Sequence, residues 1–247
     1  MRIAVVTPYY RETPETLGRC LDSIQAQGMP VDHILVADGF PQYWVESRSN
    51  IRHLVLRENS GDFGDTPRSL GFMLGIRNDY DIVQFLDADN VLEPEHFGVV
   101  LGCFSQTGAD MIVARRKLLR PDGSVIDVRI EEDEELAHVD TSCFVFSRRS
   151  FHVGIRWGFI PRPLGFIDDR VFLGMVKKSG LNIAVLPKAT VGYRCMWSHV
   201  YLLAGETPPP GCRNLQPHFE AAKQWWNGLS TDARASLQDD LGVTINF

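Results

Sequence analysis

Paired cysteines are missing from this 247-residue chain: its five, Cys20, Cys103, Cys143, Cys195 and Cys212, are odd in number, scattered, and without a CxxC spacing. That excludes a disulfide framework and points to reduced thiols in a cytoplasmic protein. A basic excess is missing too, since 25 Lys+Arg stand against 31 Asp+Glu for a net charge of −6, which argues against a nucleic-acid partner. No apolar run approaches the length of a membrane span, and "MRIAVVTPYY" is interrupted too early to read as a secretory signal. Peripheral attachment to the inner face of a membrane stays open. The segment after the first apolar run, "TPYYRETPET", contains no glycine, so it is not the glycine-rich phosphate loop expected of a nucleotidyltransferase. There is no internal repeat and no linker long enough for an independent second domain. With 44% hydrophobic and 23% charged residues, the composition is that of an ordinary globular chain of one large domain or two small ones.

What is present is "IVQFLDADNVLEP", which sets Asp87 and Asp89 one residue apart where an apolar run stops. If strand geometry persists that far, period two aims both carboxylates to one side. They repel unless something positive lies between them, and hard cations such as Mg2+ or Mn2+ take carboxylate ligands. A turn in which Asp and Asn bond the backbone uses the same letters.

Strand and helix patterns alternate through the first half. "RIAVVT" reads as a buried strand, and Thr13 with Pro14 opens a helix in which Leu17, Cys20, Leu21 and Ile24 recur before Gly28 closes it. "DHILVADG" and "IRHLVLRE" read as further strands, Thr66 and Pro67 start a helix to about Asn78, "DIVQFLD" is a fourth strand, and Pro94 starts another helix. That order predicts an α/β fold with a mostly parallel central sheet, whose ligands bind beyond the carboxyl ends of the strands. Asp38 and the Asp87/Asp89 pair fall at such ends. The second half predicts antiparallel additions: a hairpin around Asp122-Gly123 in "LLRPDGSVI" and a strand in "CFVFSRRSF". "EEDEELAH", residues 131 to 138, reads as a solvated acidic segment. "GFIPRPLGFIDDRVF" is a loop ending in Asp168 and Asp169 before a helix towards Gly180. After "GETPPPG" come two short helical stretches with Trp225 and Trp226, expected to pack the tail onto the domain or to make a subunit contact, as in a homodimer.

From about Arg2 to His199, through "VVTPYYRE", "VADG", "ENSGDFGDTPRSLG", "FLDADN" and the late "DDRVF", the chain resembles the GT-A (Rossmann-like) glycosyltransferases, and among them glycosyltransferase family 2. The resemblance implies a single GT-A domain over residues 1–204, with a nucleotide-sugar half at 1–106 and an acceptor half at 107–204, and a helical tail at 205–247. It implies that Thr7, Pro8 and Tyr9 line the nucleoside pocket, that Asp38 bonds the base with Asp65 nearby, and that Arg68 lies near the diphosphate or its neighbouring acids. Asp87 and Ala88 would meet the nucleotide sugar, Asp89 with Asp87 and His199 would hold Mn2+ or Mg2+, and Asp169 would be the general base with Asp168 beside it. A UDP-sugar is the leading donor, and a saccharide or glycoconjugate the acceptor. The pattern departs from the family at Ser69, where asparagine is frequent, and at Pro67.

The chemistry accounts for these residue types. Glycosyl transfer passes through an oxocarbenium-like state while a diphosphate leaves, which calls for a cation on one side and a positioned carboxylate on the acceptor hydroxyl on the other. Structural uses compete: Asp38 before Gly39 also suits a turn, Asp168 and Asp169 also suit a helix start, and a lone histidine such as His199 is more often structural. Trp157, Phe159 and Phe166 suit either an apolar sugar platform or the core. A nucleotidyltransferase and a non-catalytic sugar-binding module are the alternative functions.

Overall fold

The computed structural model describes residues 1–129 and 136–247. The acidic run at 131–138 therefore falls mostly outside the described residues.

Among the described residues eight strands form one sheet, in the order β3 (Ile51–Leu56), β2 (Asp32–Asp38), β1 (Ile3–Tyr9), β4 (Ile82–Phe85), β7 (Phe144–Ser147), β6 (Met111–Leu119), β8 (Ile183–Arg194) and β5 (Val91–Leu92). The strands β1 (Ile3–Tyr9), β2 (Asp32–Asp38), β3 (Ile51–Leu56) and β4 (Ile82–Phe85) run parallel. Every residue of β1 and β4 is buried, as expected of parallel strands covered on both faces. Helix α1 (Pro14–Gln25) starts as the sequence predicts, Thr13 Oγ1 accepting the Thr16 amide at 3.2 Å. It ends at Gln25, short of Gly28.

Helix α2 (Asp65–Arg77) begins one residue earlier than Thr66, after Gly64 in left-handed backbone. It lies directly on the sheet because two positions lack side chains. A Cβ at Gly71 would fall 2.4 Å from Val6 Cγ1, and one at Gly75 would fall 3.0 Å from Val83 Cγ2. Any larger residue there would push the helix, and Arg68 with it, off the strand ends.

The second half mixes directions. After the two-residue β5 (Val91–Leu92) and helix α3 (His96–Thr107), β7 (Phe144–Ser147) pairs antiparallel with β4 and with β6 (Met111–Leu119). β6 pairs parallel with β8 (Ile183–Arg194), whose far edge takes β5 antiparallel. The long β8 is illegible in sequence because Pro187 and Lys188 interrupt it, and proline normally breaks a ladder. The register explains the tolerance: Val113 opposes Val185 while Arg115 opposes Ala189, so residues 186–188 bulge past a single β6 residue.

The expected hairpin at Asp122-Gly123 is short, its arms joined where the Arg120 amide donates to Ser124 O and the Ile126 amide to Leu118 O, each at 2.8 Å. Asp122 Oδ1 accepts the Ser124 amide and hydroxyl, and Leu119 bridges Val125 antiparallel. The loop before helix α4 (Asp168–Lys178) is formed of 3-10 turns. Behind it Phe72, Phe85, Phe144, Phe146, Trp157 and Phe172 meet ring to ring in the core. Trp157 is fully buried there and is no sugar platform, and Phe159 is 70% exposed. Short helix α5 (Ser198–Leu203) is followed by α6 (Gln216–Gly228) and α7 (Thr231–Leu241). Trp226, Leu241, Val243 and Ile245 join the main core, with Trp225 packed against it. Among the described residues, no helix is long and apolar enough to cross a membrane.

Candidate active site

The parallel strands end on one side of the sheet, and the register sets their last residues side by side: Tyr9 opposes Ala37, Asp38 opposes Leu56, and Val6 opposes Phe85. Beyond these ends lie two chambers. The first, about 480 Å³, is lined by Pro8, Tyr9, Asp38, Arg68, Asp87, Ala88 and Asp89 among others. The second, about 500 Å³, takes Asp168, Asp169, His138, Asp140, Phe166 and His199. Phe63, Arg68, Asp87, Tyr193, Trp197 and Arg213 line both.

Asp87 and Asp89 do not sit on a continuing strand. β4 stops at Phe85, and residues 87–90 form a turn closed by the Asn90 amide on Asp87 O at 3.0 Å. Ser142 Oγ staples that turn, accepting from the Asp87 amide at 3.1 Å and from Asn90 Nδ2 at 2.8 Å, while Asn90 Oδ1 accepts the Arg194 amide at 2.9 Å. Turn and site coincide here, and both carboxylates still line the first chamber. Burial, then the Asp87 charge, pushes the Asp89 carboxyl up to about 7.

Arg68 holds three acids. It donates to Asp87 Oδ1 at 2.9 Å and to Asp65 Oδ1 at 3.1 Å, and lies 3.8 Å from Asp168 Oδ2. Trp157 Nε1 also donates to Asp65 Oδ1, at 2.6 Å. Two of these carboxylates, Asp65 and Asp168, are buried while Asp87 is half-exposed, and a single buried cation beside two buried acids favours a proton on one of them. Asp168 is that acid: burial and then the Asp65 charge push it well above the ordinary range. Asp65 Oδ2 is buried without a hydrogen-bond partner, and a proton on the neighbouring Asp168 would supply the donor it lacks.

Asp169 is placed differently, one residue on and turned to the second chamber. His138 Nε2 lies 2.6 Å from Asp169 Oδ2, and His138 Nδ1 lies 3.3 Å from Arg116 Nη2. Arginine can only donate, so Nδ1 accepts and Nε2–H donates to the carboxylate. Arg116 Nη1 also donates to Asp140 Oδ2 at 3.2 Å, and burial pushes Asp140 up to about 6. His138, Arg116 and Asp140 escape sequence reasoning because Arg116 lies 22 and 24 positions from the other two and none of them sits in a motif.

The remaining expected residues divide. Pro8, Tyr9 and Ala88 line the first chamber, whereas Thr7 is fully buried beneath it with Oγ1 2.8 Å from His33 Nε2. Tyr9 OH is held by the Gln42 amide at 2.8 Å and by His53 Nε2 at 2.8 Å. Asp38 accepts Asn59 Nδ2 at 2.7 Å and the Ser60 amide and hydroxyl at 2.9 Å, so it organises the loop before α2 as well as facing the chamber. Asp65 lies behind the wall. His199 is exposed on α5 and lines the second chamber with Asp87, while Asp89 lines only the first. Among the described residues no three His, Cys, Asp or Glu side chains are grouped to hold a metal ion.

The family profile of glycosyl transferase family 2 matches residues 4–154, more than half of the chain, and the chain belongs to that family. It is 35% identical over 104 residues to the succinoglycan biosynthesis protein ExoW of Rhizobium meliloti (strain 1021), a match covering 38% of this chain and 31% of that relative. The fold is similar to that of S. aureus TarS residues 1–349, with a TM-score of 0.60 at 15% identity over 92% of this chain and 71% of that one. The same protein solved with UDP matches with a TM-score of 0.60 at 14% identity, covering 98% of this chain and 80% of that one. Its complex with UDP-GlcNAc matches at 0.56 and 13%, with the same coverage of both chains.

Proposed function

We propose that the protein is a metal-dependent glycosyltransferase that moves a sugar from a nucleoside diphosphate to an acceptor hydroxyl with inversion, the donor lying in the first chamber and the acceptor in the second. A UDP-sugar is the favoured donor, since TarS is described with UDP and UDP-GlcNAc. A saccharide or glycoconjugate acceptor and a place in polysaccharide biosynthesis follow the name of ExoW, a succinoglycan biosynthesis protein. The observation that carries the reading is the junction of the chambers at Asp87 and Arg68, with a carboxylate turn on one side and the His138-held Asp169 on the other.

The two faces do different work. On the donor side Pro8 and Tyr9 wall the nucleoside and Asp38 offers carboxylate lone pairs to a base N–H. Asp87 and Asp89 fit Mn2+ or Mg2+, because such ions are commonly held by one or two carboxylates together with substrate phosphates, and the Asp89 charge is poorly compensated by protein. When bound, the cation supplies Lewis-acid stabilisation of the departing diphosphate. His199 joins that set only if it swings across the junction. On the acceptor side Asp169 takes the proton of the attacking hydroxyl, a role worth about two to four orders of magnitude. The His138 N–H orients its carboxylate towards the acceptor chamber. Asp168, holding its own proton, leaves the base role to Asp169. The half-chain division at residues 106 and 107, and the tail from 205, follow the same reading, with Leu215, Gln216 and Phe219 of the tail facing the acceptor chamber.

A thermal-shift screen of nucleoside diphosphates with and without Mn2+ tests this. The cognate diphosphate should raise the melting temperature only when the ion is present, in proportion to the logarithm of ligand over dissociation constant. No shift with any nucleoside diphosphate would overturn the reading. Turnover of a nucleoside triphosphate with a sugar phosphate would favour a nucleotidyltransferase, and donor binding with no transfer to any acceptor a binding module.

A further inference from the structure

Among the described residues four non-glycine positions have positive φ, and Phe63, at 57°, is the only aromatic one. Asparagine and aspartate adopt that backbone readily, but a bulky side chain does so at a cost. Burial does not repay it, because Phe63 is 52% exposed. Phenylalanine is therefore disfavoured at this position by local geometry and by solvent.

The loop is nonetheless fixed. Asp38 holds Asn59 and Ser60, Arg162 Nε donates to Gly61 O at 2.9 Å, and Asp62 Oδ2 takes the Thr66 amide at 3.2 Å and its hydroxyl at 2.5 Å. Gly61 and Gly64, at φ 63° and 93°, complete the turn that throws the Phe63 ring outward. Gly165 closes on the loop so tightly that a Cβ there would sit 3.2 Å from both Asp62 O and Phe63 Cδ2. The ring meets Phe166 at 6.2 Å and His218 at 5.7 Å between centroids, edge to face, and it lines both chambers. Strain maintained by so many bonds is a feature of ligand-contacting positions.

We propose that Phe63 reads the transferred sugar, its ring forming the apolar face on which a pyranose packs between the diphosphate and the acceptor. This rests on the glycosyltransferase reading. The transferred ring must stand at the junction of both chambers, between the diphosphate and the acceptor hydroxyl, and a pyranose offers an apolar C–H face with hydroxyls at its edge. That edge would turn to Asp87, Arg68 and Arg213.

The test uses Phe63→Asn, which keeps the left-handed turn and removes the ring, and Phe63→Tyr, which keeps an aromatic face. UDP, UDP-glucose and UDP-N-acetylglucosamine are titrated calorimetrically with Mn2+, and melting is followed alongside. Phe63→Asn should melt at or above the wild-type temperature and bind UDP as wild type does, while its affinity for at least one UDP-sugar falls about tenfold, the scale of a lost aromatic contact. Phe63→Tyr should restore it. An equal loss for UDP and UDP-sugars would place the ring on the nucleotide, and no loss for either would leave it a loop residue; each overturns the inference while leaving the transferase reading intact. Wild-type protein that binds none of the three probes, nor any other nucleoside diphosphate in the screen above, would end both.

Discussion

His138 Nε2 and Asp169 Oδ2 stand 2.6 Å apart, and the 3.3 Å contact of Arg116 with the other ring nitrogen fixes which of the two carries the proton. A carboxylate at the first turn of α4 is thereby given a neutral donor from another part of the chain. Asp169→Asn should leave nucleotide affinity near normal and lower turnover by about two to four orders of magnitude. His138→Ala, which removes only the orienting donor, should cost about ten- to a hundredfold in kcat with the donor Kd unchanged. Sugar transfer measured beside a nucleotide titration checks both, and a loss of donor affinity in Asp169→Asn would move that residue to the donor chamber.

Arg68 is the only cation in bonding distance of Asp65 and Asp87 among the described contacts, and its own side chain is 3% exposed. Removing one partner of a buried ion pair strands the others, so Arg68→Met should destabilise the fold by about 3–5 kcal/mol. Urea denaturation reads this directly. A change under 1 kcal/mol would mean that the buried Asp65 and Asp168 do not depend on the Arg68 charge.

Much of this was legible before any coordinates. The parallel half announced itself through the unbroken apolar run of β1 and the Thr13-Pro14 helix start, because local signals and tertiary burial agree there. Asp87 and Asp89 were visible as two like charges at a strand end. The Arg68 cluster was legible only in part, since nothing local says that Asp65 and Asp168, 103 positions apart in the numbering, share a proton. The long β8 was hidden by Pro187, whose bulge is visible only once β6 lies beside it. His138 was lost inside an acidic stretch whose composition reads as solvated surface, and its partner Asp169 comes from a helix that sequence places elsewhere.

Asp38 carries three hydrogen bonds from Asn59 and Ser60, so its substitution should be felt twice. Asp38→Ala should lower stability by about 1–3 kcal/mol through the lost loop contacts and also weaken nucleotide binding, with metal dependence preserved. Asp38→Asn, which keeps an acceptor oxygen, should recover part of the stability. Undiminished nucleotide affinity in Asp38→Ala would leave it a turn residue only.

Stability should fall as pH rises through neutrality. Burial raises Asp89 to about 7 and Asp140 to about 6 in the folded chain, whereas an unfolded aspartate titrates near about 4. The native state therefore binds these protons more tightly, and the stability they contribute is full below about pH 4 and lost as pH climbs through 6 and 7. Melting at pH 5.5 should exceed melting at pH 8 by several degrees, on the order expected of a few kcal/mol. Asp89→Asn should flatten the profile, and a wild-type profile that rises with pH across this range would contradict the placement of these acids.

Calorimetric titration of UDP into wild-type protein and Asp89→Asn, each with Mn2+ and with the ion chelated, bears most directly on the central claim. The account predicts wild-type binding that weakens at least about tenfold on chelation, and Asp89→Asn binding that is weak and indifferent to the ion, with an unchanged fold. Equal affinity in all four titrations, or no binding of UDP or any other nucleoside diphosphate to wild type, would contradict it.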